Sequence, residues 1–595
     1  LFYSIRRNYL EIHKTMIRFL FVFLVGFSCY GQVLPVNRSV DWTVAGLTDT
    51  STTGFTYYNA VQEGAIPDGI TPANAVIDSL LQVIQPQGIH IHFPAGTYFF
   101  NAPISLPSNC LISGDGASAT HFVFNQGGTG HAIQTNGVAQ NADTASVVVQ
   151  GVKGTTFLVL SNVSPFQAGD WIKIIQQDAD LVFSSWAQGS VGQLVKIAGV
   201  SGDTLWLNSE LRMDYALNRQ PKVKRILMKR NIGLQCFSIE RMDNTAPEQA
   251  SSIHFTYAEN CWVSGIESNK TTFAHVEFEG VSNSKVEKSY FYDAFEYGGG
   301  GRGYGVVMHF TTNECLIENN IFKHLRHSVL LQAGSNGNVT AFNHSLDPFW
   351  TNGNPLLGAN SAGELVLHGN YVYANLFEQN DVQNIVIDNS HGANGPYNTF
   401  LRNRASLYGI FFSDNTSPSQ NIIGNEIPNT GFPYSAVNYS IQGNDQFTYG
   451  NNNKGTVAPA GTSALADISY HYLTKPAFVQ DYQWGMIGLP SAMNTANVPA
   501  TDRYEGNDIF AGSCGSEDFY AGLAEVPGVL VYPNPVREVL HVIDVAINTP
   551  YQILDVQGRL WDEGIIENQI IPIQHIPTGF YLLKVNESII RWIKE

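Results

Sequence analysis

The most constraining feature of this chain is a recurring asparagine. Ile317-Glu318-Asn319-Asn320, Thr340-Ala341-Phe342-Asn343, Phe377-Glu378-Gln379-Asn380 and Phe400-Leu401-Arg402-Asn403 are four copies of one pattern. A shortened fifth copy ends at Asn425, and Val286-Glu287-Lys288-Ser289 fits one turn earlier with serine in the slot. From Ser289 onward the intervals are 31, 23, 37, 23 and 22 residues, so the period is 23 with two turns lengthened by 8 and 14. A period of this size predicts a solenoid, in which each turn buries its apolar face only against its neighbours.

A leucine-rich repeat needs a regular L-x-x-L-x-L spacing, which is missing. A parallel β-helix needs short β-branched or aromatic strands between turns that favour Asn. Ser328-Val329-Leu330-Leu331, Ile385-Val386-Ile387 and Gly409-Ile410-Phe411-Phe412 are such strands. The expectation is an all-β chain built on a right-handed parallel β-helix, with Asn320, Asn343, Asn380 and Asn403 stacked at one corner. The competing reading is an irregular, Asn-rich β-sandwich.

A solenoid also explains how 595 residues fold without an oversized core. Only 14% of residues are charged, and the net charge of −18 argues against a nucleic-acid partner. An anionic substrate would therefore have to be met by local cations. Six cysteines occur without metal-type spacing, so buried small apolar residues are expected rather than a disulfide framework or a zinc site.

Residues 1–31 divide into a basic stretch ahead of Met16 and an apolar run, Phe19–Phe27, that reads as a signal peptide starting at Met16. That run is too short to span a membrane, which needs about 20 residues. The β-helix domain is expected over 32–511. Gly64-Ala65-Ile66-Pro67-Asp68-Gly69, a helix Ala73–Ile84, His90-Ile91-His92-Phe93-Pro94-Ala95-Gly96-Thr97-Tyr98 and Leu111-Ile112-Ser113-Gly114-Asp115-Gly116 follow in order. This stretch resembles the opening of pectate-lyase-like β-helix proteins, which are carbohydrate-active, and the resemblance implies a helix capping one end of the solenoid. Residues 150–225 break the rhythm with alternating segments that predict a small antiparallel insertion, whose loop Ser184–Gly189 would overhang a cleft. Asp467–Tyr504 is expected to close the C-terminal end, and 512–528 to be a linker.

Residues 529–595 carry Val531-Tyr532-Pro533-Asn534-Pro535, Tyr551-Gln552-Ile553-Leu554-Asp555-Val556-Gln557-Gly558 and Ile576-Pro577-Thr578-Gly579-Phe580-Tyr581. They resemble the C-terminal sorting domain of type IX secretion cargo in Bacteroidetes. That resemblance implies the type IX machinery as a partner and delivery to the cell surface or beyond. The alternation itself predicts a sandwich of roughly seven strands.

Candidate chemistry gathers around the two lengthened turns. Counting seven residues from the repeat position gives Glu296 and His327, which predicts them as neighbours one turn apart; Asp388 falls one residue beyond the same position two turns on. The Gly-rich loop Gly298–Gly305 follows Glu296, and the loop Pro348–Gly363 precedes His368. Inserted loops on a solenoid map to a binding face. Histidine trades protons near neutrality. One groove is therefore expected to hold Glu296, Tyr304, Arg326, His327, His368, Asp388 and His391, with Arg302, Trp350 and Tyr371 contacting substrate.

Two kinds of enzyme fit. A lyase acting on a uronate polymer would use Arg326 to neutralise the carboxylate, His327 or His368 as base and Tyr304 as acid. A glycosidase needs two carboxyls about 5–9 Å apart, for which Glu296 or Glu378 with Asp388 are the candidates. The lyase is preferred for the richness in His and Arg, and a plant or algal glycan is the expected substrate. A non-catalytic glycan-binding or adhesin surface protein is the alternative. The paired aspartates and Gly-His-Gly of β-helical polygalacturonases are not found. Arg326-His327-Ser328 resembles the Arg-His motif of β-helical alginate lyases, where a Lys one turn earlier is the base; Lys288 departs from that spacing. No cofactor is evident, no motif indicates calcium, and a monomer is expected.

Overall fold

A computed structural model describes residues 32–594 except 49–51, 53, 84–86, 244–248, 352–357, 433, 435–438, 511–513, 515–529, 533–535, 544, 546–547, 556–558, 568 and 586–587. The signal-peptide reading of 1–31 and nearly all of the linker lie outside the described residues. Among those described, no helix is long and apolar enough to cross a membrane.

The repeats build a parallel β-helix. One sheet stacks twelve strands from Thr56–Asn59 to Phe447–Tyr449, and a second, larger sheet folds over the other two faces of each turn. Val286, Ile317, Phe377, Phe400 and Ile422 point inward from the first sheet and meet Phe291, Phe322, Val329 and Ile385 from the others in one continuous core.

The asparagines form the expected ladder. Asn320 Nδ2 donates to Asn343 Oδ1 (3.0 Å), Asn343 to Asn380 (2.9 Å), Asn380 to Asn403 (2.8 Å), Asn403 to Asn425 (3.0 Å) and Asn425 to Asn451 (2.9 Å). Each Oδ1 also accepts the backbone N–H of the previous ladder residue, as from Asn320 to Asn343 at 3.0 Å. The left-handed residue at this corner is the one before the ladder asparagine: Asn319, Phe342, Gln379 and Arg402 have φ of 53°, 55°, 57° and 53°. A parallel ladder five residues upstream joins Asn338, Asn375, Asn398 and Gln420 (2.9 Å each). Each amide bonds the next turn at the bend, where strand pairing lapses and backbone groups would otherwise be orphaned.

The helix Asn74–Leu81 buries Ile77 and Leu80 against the first turns, as expected of a cap. The insertion is larger than the sequence suggested. Strands from Val138–Ser146 to Lys222–Leu227 form a six-stranded antiparallel sheet. It packs on the solenoid through Val182, Ala187 and Val191 against Ala333. Backbone carbonyls of Ser190, Gly192 and Leu194 accept hydrogen bonds from Thr311, Asn336 and Asn313.

Two expectations need correction. Residues 463–510 do not close the end of the solenoid; they run along its flank. Ser469 Oγ donates to Glu378 (2.6 Å), Arg402 to the carbonyl of Asp467 (2.6 Å), and Arg503 to Asn319 Oδ1 (3.1 Å). The reason is that the outer face of the first sheet is also apolar: Leu316, Val339, Leu376, Leu401 and Ile423 need a cover, and this strap supplies it. The cysteines also divide. Cys110, Cys261 and Cys315 are free and buried as expected, but Cys236 and Cys514 form a disulfide across 278 residues that fastens the far end of the strap. Pairing between cysteines so far apart leaves no spacing signal.

The C-terminal region folds as three strands facing four, around Leu540, Ile553, Ile571, Leu583 and Trp592. That is the seven-stranded sandwich the alternation predicted.

Candidate functional site

The site lies on the outer face of six consecutive strands: Ile253–Thr256, Ala274–Glu279, Tyr304–His309, His327–Leu331, Leu365–Leu367 and Asp381–Ile387. Pairing aligns Thr256 with Glu279 and His309, and Met308 with Leu331, Leu367 and Ile387. The residues that follow the last four are His309, Gln332, His368 and Asp388. One row therefore crosses the sheet from Thr256 through Glu279, His309, Gln332 and His368 to Asp388, spanning about 24 Å at 4.8 Å per strand.

Both lengthened turns place their extra residues just before a strand of this face. His327 opens the unlengthened strand between them. Its Nδ1 lies 2.7 Å from the carbonyl oxygen of Gly363, at the end of the second loop. A carbonyl only accepts, so Nδ1 carries the proton and Nε2 keeps a lone pair. The ring stacks on Tyr304 with centroids 5.1 Å apart. The Arg326 guanidinium lies 5.6 Å from the Tyr304 ring and 5.8 Å from that of Trp350, and donates to Gly298 O at 2.5 Å. Burial, then the Arg326 and His368 charges, push the His327 imidazole well below its ordinary pKa, so it is neutral at pH 7. Burial, partly offset by the Arg326 charge and helped by that of Asp388, raises the Tyr304 phenol and keeps it protonated.

His368 stands beside this group, its ring 5.7 Å from His327 and 4.8 Å from His391. Its Nδ1 is 2.5 Å from Asp388 Oδ2. Burial pushes the Asp388 carboxyl up, but the hydrogen bond and charge of His368 and two bonds from Ser390 outweigh it, so the carboxylate stays ionised. Facing an ionised carboxylate, His368 Nδ1 carries a proton and its Nε2 is left to exchange one with a ligand. His391 bonds Ser184 Oγ (3.0 Å) of the inserted sheet, and Trp186 stands edge-on over it at 5.6 Å. The loop Ser184–Gly189 thus does overhang the row.

Six of the seven predicted groove residues meet here: Tyr304, Arg326, His327, His368, Asp388 and His391. Glu296 does not. The register partner of His327 is Tyr304, because the eight extra residues enter before the strand and shift the position along by that much. Glu296 instead sits exposed on the Gly-rich loop, paired with Arg302. Trp350 lies under Arg326, whereas Tyr371 packs at the corner beneath the inserted sheet with Tyr373. Glu378 is on the first sheet, buried under the strap, and burial raises its carboxyl to about 7. Neither carboxyl pair suggested for a glycosidase is therefore assembled. Lys288 occupies the ladder corner with φ 49°.

The sequence reading missed the other end of the row. Glu277 Oε1 lies 3.1 Å from His309 Nε2, and His254 Nε2 lies 3.4 Å from Glu279 and 3.7 Å from Glu277. His131 stacks on His254 at 4.0 Å. These residues precede or skip the asparagine repeats, so no periodic signal reached them. The alternation Glu277-Phe278-Glu279, opposite His309, is the signal that strand register would have exposed.

The fold is a parallel β-helix followed by a β-sandwich, and two stretches of the chain match known families. Residues 57–179 match the family described as rhamnogalacturonase A/epimerase, pectate lyase-like, and residues 530–595 match the secretion system C-terminal sorting domain. The sorting domain marks the chain for secretion, to the surface or beyond. No curated protein matches. Solved structures similar to the chain include the tailspike gp61 of Pseudomonas phage phi297 (15% identity, TM-score 0.47, 67% of this chain and 75% of that one) and the tailspike gp49 of Pseudomonas phage LKA1 (15%, 0.45, 66% and 77%). The A-module of the Azotobacter vinelandii mannuronan C-5 epimerase AlgE4 is also similar (11%, 0.30, 66% and 95%).

Proposed function

We propose that this chain is a secreted polysaccharide lyase that cleaves a uronate-containing glycan by β-elimination in the groove centred on His327. The observation that carries the reading is a pair of adjacent imidazoles with opposed surroundings. His327 is neutral with its lone pair fixed on Nε2 by the Gly363 carbonyl, while His368 carries its Nδ1 proton against Asp388. Neighbouring imidazoles held by different hydrogen-bond partners can divide the roles of acid and base. His327 Nε2 takes the proton α to the uronate carboxylate. The electron pair left behind forms the C4–C5 double bond, and the C4–oxygen bond breaks. Tyr304 gives its phenolic proton to the departing oxygen, and His368 is a second donor when its Nε2 as well as its Nδ1 is protonated. Arg326 meets the uronate carboxylate, whose charge grows as the proton leaves. Trp350 and Trp186 offer aromatic faces to sugar rings at the two walls.

Product analysis tests the chemistry. Digestion of uronate polymers should generate unsaturated, ultraviolet-absorbing chain ends in step with new reducing ends. Reducing ends without unsaturation would make the protein a hydrolase. Tight binding with neither product would make it a glycan-binding surface protein.

A further inference from the structure

The other end of the row holds a group that the lyase chemistry does not use. We propose that Glu277, Glu279, His309 and His254 bind one first-row divalent cation, Zn²⁺ or Mn²⁺, on the outer face of the β-helix. Donor atoms lie within 4.8 Å of one another inside each of two triples that share Glu277, His131–His254–Glu277 and Glu277–Glu279–His309, and His254 Nε2 faces both carboxylates. The closest approaches are 3.1 Å for Glu277–His309, 3.4 Å for His254–Glu279 and 3.7 Å for His254–Glu277. A tetrahedral ion with bonds of about 2.0–2.1 Å sets its donors about 3.3 Å apart. The observed spacings bracket that value; Glu277–His309 is also within hydrogen-bond range, whereas the two His254 contacts are longer than a good direct hydrogen bond.

The surroundings are built for ligation. Glu277, His254 and His309 are 6%, 7% and 5% exposed, and Glu279 is half-buried. Ser251 Oγ donates to Glu277 Oε2 at 2.5 Å, which leaves Oε1 to face His309. His309 Nδ1 meets the Gln332 side chain at 3.4 Å, so Nε2 is the nitrogen turned toward the carboxylates. The His131 ring, its Nδ1 accepting the Ser251 N–H (3.1 Å), lies flat against His254 and fixes that ring's plane. His254 Nδ1 has no hydrogen-bond partner among the described residues, while its Nε2 faces Glu277, Glu279 and Thr256 Oγ1 (3.3 Å). Such second contacts orient metal-binding imidazoles. Two imidazoles with two carboxylates suit Zn²⁺ or Mn²⁺; Ca²⁺ takes six to eight oxygens and is not expected to be retained.

The test reads metal directly and does not depend on activity. Tag-free secreted protein is stripped with a chelator, re-equilibrated separately with Zn²⁺, Mn²⁺ and Ca²⁺, desalted and assayed for bound metal by mass spectrometry. About one equivalent of Zn²⁺ or Mn²⁺ should remain. Glu277→Gln and, as a second variant, His309→Gln should each weaken binding at least 10-fold, while His368→Gln retains it. Retention below a tenth of an equivalent, or metal that survives both cluster variants when circular dichroism shows them folded, overturns the proposal. If Glu277→Gln fails to fold, His309→Gln and His254→Gln decide between the same two outcomes.

Discussion

Replacing Asn380 by alanine tests the ladder where its bonding is densest. The side chain is fully buried and makes five hydrogen bonds. Its Oδ1 accepts from Asn343 N (3.1 Å) and Nδ2 (2.9 Å), and its Nδ2 donates to Thr340 O (2.9 Å), Glu378 O (3.2 Å) and Asn403 Oδ1 (2.8 Å). An ordinary bond contributes about 1 kcal/mol net, and a buried donor left without a partner costs about 1–3 kcal/mol. Alanine orphans the Asn343 N–H and removes the bridge to Asn403, so a loss of about 3–5 kcal/mol is expected. Asn380→Ser should lose roughly half as much, because Ser289 in the equivalent slot accepts the Ile266 N–H at 3.1 Å. Solenoid turns couple mainly to their neighbours, so urea unfolding should be read together with hydrogen exchange at residues 343 and 403. A loss below about 1 kcal/mol with unchanged protection at these amides would refute the claim that the ladder holds the turns together.

Acid should weaken the fold through His275, whose ring is fully buried against Ser268 Oγ (2.8 Å) and the Asp293 carbonyl (3.0 Å) and is pushed down to about 3 by burial. The unfolded chain binds this proton near pH 6.5 and the folded one does not. Stability is therefore complete above pH 6.5 and lost as pH falls toward 3, by about 3 kcal/mol at pH 4; a His275→Gln variant with an equally steep pH dependence of urea unfolding would contradict this. Opening Cys236–Cys514 by Cys236→Ser should cost about 2–4 kcal/mol and expose residues 463–510 to proteolysis before the solenoid; simultaneous digestion of both would count against the strap. Deleting 530–595 should stop release from the producing cell, seen by fractionation, and normal delivery of the shortened chain would dissociate the sandwich from export.

The fold was legible because its strongest restraint is periodic. A ladder that bonds each turn to the next demands one residue type at one spacing, and Asn320, Asn343, Asn380 and Asn403 display it. The groove was legible only in outline. Equal intervals conceal compensating changes: the turn starting at Asn380 has 23 residues like that starting at Asn320, yet its strand Asp381–Ile387 turns the corner without a break. Asp388 thereby moves into line with His368 and Gln332 rather than His327. The eight residues inserted before Tyr304 displaced Glu296 in the same way. Histidines next to lengthened turns still marked the right face, because the loops wall the groove wherever the register falls. The His254–Glu277–Glu279–His309 group depends on the register of three neighbouring strands, and the strap and the disulfide on contacts between segments far apart in the chain, neither of which leaves a local pattern.

The central claim, that the His327 groove performs β-elimination, is tested most directly by the formation of unsaturated chain ends on a panel of plant and algal uronate polysaccharides. The wild-type chain should be compared with His327→Ala and His368→Ala. Turnover is expected with at least one polymer, falling by about 10²–10⁴ in each variant, the usual worth of a general acid or base, while thermal unfolding shows both still folded. Wild-type activity preserved in both folded variants would place the chemistry outside this groove and contradict the account.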